Sequence, residues 1–87
     1  MILTKEEFLK DIGTMNRYAL LDRMRTDCTY VIHMCKCNPV AYKYLWAGEP
    51  KKQIAYMRYL WESFPEDEKP EWMKYSEIDE YESKLCG

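Results

Sequence analysis

Residues 18–35 read YALLDRMRTDCTYVIHMC and lie within the longest stretch of the chain that contains neither Gly nor Pro. Thr14 or Asn16 can cap the start of a helix here, and Pro39 must end it. The pattern therefore predicts a long helix over about 15–35 and favours an all-α fold. Apolar side chains recur at the three- and four-residue spacing of one helix face: Tyr18, Leu21, Met24, Cys28, Val31, Ile32 and Cys35.

Shorter helical patterns flank this segment on both sides. Thr4 and Glu7 have the spacing of a capping box, Pro50 suits the first turn of a helix, and Ser76 can cap the last one. No run alternates for long enough to predict a strand. The sequence thus predicts a small all-α bundle of about four helices in a single domain, 1–87. The predicted helices cover about 5–12, 15–35, 50–64 and 75–85, with a short aromatic helical turn at 40–47.

Aromatic side chains supply much of the predicted core. A chain of 87 residues is near the lower size limit for an unaided core, and this one has eight Tyr, three Trp and two Phe. We expect some Tyr and Trp to remain at the surface, where they make good partner contacts. The residues that we expect to be mostly buried are Leu21, Cys28, Trp46, Ile54, Trp61, Trp72 and Tyr81.

The net charge of −2 hides a basic middle and an acidic end. Residues 28–61 carry five Lys and Arg against Glu49, whereas residues 62–87 carry nine acids against three Lys. This polarity bears on the choice of partner, although solvated helix faces would show it too. Candidate partner-binding residues at the acidic end are Glu66, Asp67, Glu68, Tyr75, Glu77 and Glu80. The alternative is a nucleic-acid site in the basic middle, interleaved with Tyr, at Lys43, Lys51, Lys52 and Arg58.

The chain offers few groups for catalysis. Its three Gly are isolated, so no phosphate-binding loop is present, and His33 is the single His. Cys28 lies on the apolar face of the long predicted helix, where a thiol acts as a small hydrophobe. We therefore expect no enzyme activity, no catalytic residue and no cofactor. A zinc site is the alternative, but its closest Cys pair is too tightly spaced, so we expect no metal at Cys28, His33, Cys35 and Cys37.

The first residues are not typical of a targeting segment. Acids appear by Glu6, before any apolar stretch, and no uncharged run approaches the ~20 residues that span a bilayer. We therefore expect a cytoplasmic protein with reduced thiols and no membrane contact.

Two stretches of the chain resemble a known family. The first is residues 18–30, with its Leu-Leu-Asp-Arg and Asp-Cys pairs; the second is a later series at Leu45-Trp46-Ala47-Gly48, Gln53-Ile54, Met57, Pro65, Pro70-Glu71-Trp72, Ile78 and Tyr81-Glu82. In this order they resemble a domain family associated with large polyvalent proteins. Such proteins are carried by phages and conjugative elements, and their modules are thought to help incoming DNA become established in a host. The resemblance implies an accessory or interaction module rather than an enzyme.

Two functional hypotheses follow from the charges and the resemblance. The first is a non-enzymatic protein-binding accessory module of a phage or mobile genetic element, in the cytoplasm of the bacterial host. Its partner would be a host or mobile-element protein, and inhibition of a CRISPR nuclease is one counter-defence role that fits. Its acidic surface would occupy a basic nucleic-acid channel by complementary charge. The second hypothesis is a small nucleic-acid-binding module that uses the basic, aromatic middle segment.

Overall fold

The computed structural model describes residues 2–34, 36 and 38–86, and it confirms the all-α prediction. The described residues are 73% helical and contain no strand. No helix among them is long and apolar enough to cross a membrane. The four α-helices are α1 (Lys5–Ile12), α2 (Arg17–Thr29), α3 (Pro50–Ser63) and α4 (Tyr75–Cys86). Shorter elements are a π-helical turn (Tyr30–Met34) and two 3₁₀ helices (Pro39–Tyr44 and Glu66–Glu68).

The starts of α1 and α2 are fixed by side-chain caps. The Glu7 N–H donates to the Thr4 hydroxyl at 3.2 Å, and the Thr4 N–H donates to the Glu7 carboxylate at 3.0 Å. This is the predicted capping box. Of the two candidate caps for α2, Asn16 fills the role, because its side chain accepts from the Ala19 N–H at 3.0 Å.

The long predicted helix changes its geometry near its end. Regular α-helix stops at Thr29, and the π-helical turn Tyr30–Met34 follows; Cys35 lies outside the described residues. The hydroxyls of Thr26 and Thr29 each donate to the carbonyl four residues earlier, at 2.9 and 3.0 Å. Such bonds compete with the backbone ladder and bend helices, so they explain why the regular helix ends early.

The predicted cap of α4 is wrong. Ser76 lies inside the helix, which begins at Tyr75. The Glu77 N–H donates to the Lys74 carbonyl at 3.0 Å, so the first turn is already closed before a Ser76 cap could act.

Helix α3 is the centre of the bundle and packs against each of the other three α-helices. Phe8 of α1 stacks on Tyr56 of α3, with ring centroids 4.4 Å apart and nearly parallel planes. On another side of α3, the Met57 sulfur lies 3.7 Å from the Cys28 Sγ of α2. The buried residues of α3 are Gln53, Ile54, Tyr56, Met57 and Leu60.

The predicted core is right for its aliphatic members and less so for its aromatic ones. Leu21, Cys28 and Ile54 are buried, but Trp46, Trp61 and Tyr81 are only partly buried. Trp72, which we expected in the core, is 41% exposed. Its neighbour Met73 is 1% exposed and occupies the buried position at this turn. Because the two side chains are adjacent, they cannot both occupy that position.

Buried polar groups join the helices to the segment that precedes α3. Gln53 is fully buried. Its Nε2 donates to the Met24 carbonyl of α2 at 3.1 Å, and its Oε1 accepts from the Ala47 N–H at 3.0 Å. One residue earlier, the Trp46 N–H donates to the Asp27 carboxylate at 2.9 Å. The Trp46 bond holds the 45–49 segment against α2, and the Ala47 bond holds it against α3.

Replacement of Gln53 tests this arrangement. We expect Gln53→Leu to lower the free energy of unfolding by about 2–4 kcal/mol, because it removes the acceptor of the part-buried Ala47 N–H and the buried bond to the Met24 carbonyl. Lys51→Leu, at an exposed position two residues away, should change it by less than about 0.5 kcal/mol. Urea denaturation measures both values. Equal effects of the two variants would contradict the role given to Gln53.

A second prediction concerns the pH dependence of stability and rests on the Asp27 carboxylate. Burial raises the pKa of Asp27 above its ordinary value of 3.8, while the Trp46 N–H and the charge of Arg23 oppose this less strongly. The folded state therefore holds this proton more tightly than the unfolded state. The contribution of Asp27 to stability is complete below pH 3.8 and is lost as pH rises through the folded pKa.

Asp27→Asn keeps an acceptor for the Trp46 N–H and removes the charge. Relative to the wild type, its free energy of unfolding should therefore increase as the pH is raised from about 3 to 6. Asp27→Ala removes the acceptor as well and should cost about 1–3 kcal/mol. Thermal unfolding at several pH values measures both. A constant difference between Asp27→Asn and the wild type would contradict the prediction.

Candidate functional site

The acidic candidates Glu66, Asp67 and Glu68 form an exposed 3₁₀ turn between α3 and α4. The turn is tied to α2, because the Tyr18 hydroxyl donates to the Glu68 carbonyl. It is also tied to α3, since the Lys69 ammonium lies 3.0 Å from the Trp61 carbonyl. These contacts hold the backbone of the turn and leave its carboxylates in solvent.

The acids of α4 fall into two groups. Glu77 is partly buried and engaged within the molecule, with its Oε2 2.7 Å from the Arg25 Nε and 2.7 Å from the Tyr81 hydroxyl. Burial, together with the hydrogen bond to Glu77, raises the pKa of Tyr81 to about 12, so this hydroxyl remains a donor at neutral pH. Glu80 is exposed and stands apart from this network. Glu77 therefore stabilises the packing of α4 on α2, and Glu80 is available to bind a partner.

Tyr75 also contacts its own neighbours. Its hydroxyl donates to the Glu62 carboxylate at 3.1 Å, and its ring meets that of Trp61 edge to face at 5.2 Å. The ring is only partly exposed, so Tyr75 offers a partner less than we expected.

Trp72 is the aromatic residue that we expected in the core and that lies at the surface. It lines a shallow cavity of about 280 Å³ together with Glu71, Lys74, Glu77 and Glu80. The Arg25 guanidinium lies 5.9 Å from the centre of its ring. The signal in the sequence was the adjacent pair at 72 and 73, since only one of two neighbours in a turn can point inward.

The cavity and the acidic turn border the same side of α2. Tyr18 holds the turn and Arg25 contacts Trp72, and these two residues are seven apart, two helical turns or about 10 Å along one face. We call the combined surface the acidic face. Its members are Glu66, Asp67, Glu68, Glu71, Trp72 and Glu80.

The structure brings together two residues of the alternative basic set, since Lys51 and Arg58 line one groove that is also lined by the carboxylates of Asp79 and Glu82. Arg58 contacts Asp79 at 2.7 Å and Glu82 at 3.0 Å, and the bonds to these two carboxylates raise the pKa of its guanidinium. Lys52 lies 3.9 Å from the Glu49 carboxylate, whereas Lys51 is exposed on α3.

Lys43 lies on the first 3₁₀ helix, with its ammonium 5.5 Å from the centre of the Tyr44 ring. Four tyrosines are interleaved with this set in the sequence. Tyr42 is partly buried, Tyr56 is buried, and the Tyr59 hydroxyl donates to the Leu3 carbonyl at 3.0 Å. Tyr44 is the exposed one of the four.

The candidate metal ligands are separated where the structure describes them. Cys28 is fully buried against Met57, and His33 is exposed on the π-helical turn. Cys35 and Cys37 lie outside the described residues. Within the described ranges, no three His, Cys, Asp or Glu side chains are grouped so that they could hold a metal ion.

Fold and site together define a small all-α domain whose candidate site is an exposed surface. The chain matches the family large polyvalent protein-associated domain 11 over residues 14–85, and it belongs to that family. The resemblance noted in the sequence is thereby confirmed, and the family is associated with polyvalent proteins of phages and mobile elements. No curated protein and no solved structure matches the chain.

The exposure of Trp72 changes what its removal should do. We expect Trp72→Ala to lower the free energy of unfolding by about 1 kcal/mol, well below the cost of emptying a core site. Met73→Ala, next to it and buried, should cost about 2–5 kcal/mol. Urea denaturation of the two variants measures the difference. A larger loss for Trp72→Ala than for Met73→Ala would place Trp72 in the core after all.

Proposed function

We propose that this chain is a non-enzymatic protein-binding module of a phage or mobile genetic element, acting in the cytoplasm of its bacterial host. It docks through the acidic face onto a basic surface of a host or mobile-element protein. The observation that carries the proposal is an exposed Trp72 beside the carboxylates of Glu71 and Glu80. Trp is enriched among the residues that dominate binding energy, and carboxylates around it favour a positively charged partner.

The internal ion pairs support this choice of face. Arg58 neutralises Asp79 and Glu82 on one side of α4, and Arg25 neutralises Glu77 on the other. The five salt bridges that the structure gives for the described residues include no member of the acidic face, and the exposed Lys74 is the cation that lines the cavity beside Trp72. The charge that a partner meets is therefore concentrated there. An acidic surface of this kind competes with DNA or RNA for a basic channel.

Inhibition of a CRISPR nuclease is the counter-defence role that we propose to test first. Such an enzyme holds its nucleic acids in a positively charged channel, which an acidic face can occupy. The buried position of Cys28 against Met57 favours a packing role for this thiol, in keeping with a protein that acts by binding and needs neither a catalytic residue nor a cofactor.

A pull-down from the bacterial host followed by mass spectrometry identifies the partner. We expect a protein with a basic nucleic-acid-binding surface, retained by the wild type and lost from Trp72→Ala. For a CRISPR nuclease, the companion assay is target-DNA binding and cleavage with and without the chain. A partner retained equally by Trp72→Ala would contradict the role of the acidic face.

Matched charge reversals give the kinetic test. With the partner identified, Glu71→Lys combined with Glu80→Lys should slow association by about tenfold at low salt, because the long-range attraction is lost. Glu6→Lys combined with Asp11→Lys makes the same change in net charge at exposed positions of α1 and should slow it much less. Trp72→Ala should act mainly on the dissociation rate. Equal slowing by the two double reversals would show that net charge, and no particular face, governs binding.

A further inference from the structure

A second exposed surface lies where the π-helical turn meets the first 3₁₀ helix. Four of the eight large apolar side chains that are exposed in the described part of the chain occur within residues 30–44: Tyr30, Met34, Val40 and Tyr44. The other four are scattered from Ile2 to Trp72. Exposed apolar side chains that cluster in this way mark binding surfaces, whereas single ones do not.

Two tyrosines form the centre of this surface. The rings of Tyr30 and Tyr44 meet edge to face, with centroids 5.7 Å apart and planes at 85°. Both side chains are about half exposed. Because the rings are perpendicular, neither covers more than one face of the other. We call Tyr30, His33, Met34, Lys43 and Tyr44 the tyrosine surface.

The charge of the tyrosine surface is opposite to that of the acidic face. Lys43 is exposed next to Tyr44, and Lys36 is exposed on the segment that joins the two short helices. Beside Tyr30 runs a groove of about 490 Å³, also lined by Arg25, Thr26, Thr29, His33 and Met34, and no carboxylate is among the residues that line it. An anionic partner therefore meets attraction here and repulsion at the acidic face.

We propose that the tyrosine surface binds single-stranded nucleic acid, with bases stacked on Tyr30 and Tyr44 and a phosphate held by Lys43. Proteins that bind single strands without sequence preference combine aromatic platforms with nearby cations in this way. A duplex fits poorly, because its bases are already stacked on one another and their faces are covered. The site shares Lys43 with the basic set expected from the sequence, whereas Lys51 and Lys52 of α3 take no part in it.

Few cations contribute, so the affinity should be weak and should depend only slightly on salt. We expect fluorescence anisotropy with a labelled single strand of about 15 nucleotides to detect micromolar binding at about 30 mM salt, with a shallow salt dependence that reflects one or two phosphate contacts. A duplex of the same length should bind at least about tenfold more weakly. No detectable binding of single strands, or equal binding of the duplex, would overturn the proposal and leave the surface to a protein partner.

Variants separate stacking from general charge. Tyr44→Ala should weaken binding by about tenfold, whereas Tyr44→Phe, which keeps the ring, should bind like the wild type. Lys43→Glu should weaken binding and reduce the salt dependence by the amount expected for about one phosphate contact. The matched reversal Lys51→Glu should do neither. Equal losses in Tyr44→Ala and Tyr44→Phe, or in Lys43→Glu and Lys51→Glu, would overturn it. Asp67→Ala, in the exposed acidic turn, should leave strand binding unchanged, so the two proposed sites can be tested independently.

Discussion

The fold depends on the side-chain amide of Gln53. It is buried at the meeting point of α2, α3 and the segment that precedes α3, and it satisfies one backbone group on each of its two neighbours. A buried amide is costly unless both its oxygen and its nitrogen have a partner, so the two bonds favour one arrangement of three elements at once. The Asp27 carboxylate adds a bond to the neighbouring Trp46 N–H and fixes the same segment from α2. Apolar burial supplies the driving force, and these polar bonds select the geometry.

Periodicity and capping were enough to predict the helices and much of the aliphatic core. The start of α1 follows from Thr4 and Glu7 and its end from Gly13 at the C-cap, and both match the prediction. Trp72 shows where such reasoning stops. Trp72 and Met73 are both hydrophobic enough to be buried, and only the path of the chain through the turn determines which of them is. Arg58 shows the same limit for charges, because its partners are 21 and 24 residues away on another helix. Sequence patterns reveal local pairs and miss distant ones.

The residues that carry the family resemblance are largely those that hold the helices together. Asp27, Cys28, Gln53 and Met57 all make contacts between elements, and Gly48 adopts a φ of +80° that suits glycine in the turn before α3. The proposed binding surfaces overlap with these motifs at Tyr30, Glu71 and Trp72 and extend beyond them to the acidic turn, Glu80 and Tyr44. Membership in the family therefore accounts for the scaffold of this chain and does not by itself identify a ligand, as is usual when function resides in sites carried by a common fold.

The mixed attachment of α4 has a thermodynamic consequence. Its buried Ile78 holds it by apolar contact, while Arg25 and Arg58 hold its flanks by charge. Added salt screens the second kind of contact and leaves the first, so local opening of α4 becomes easier with ionic strength, and its amide protons should exchange earlier than those of α3. A partner that contacts both Glu80 and Trp72 binds only the form in which α4 is packed against the bundle. By mass action it protects α4 from opening, which couples recognition to the local stability of one helix.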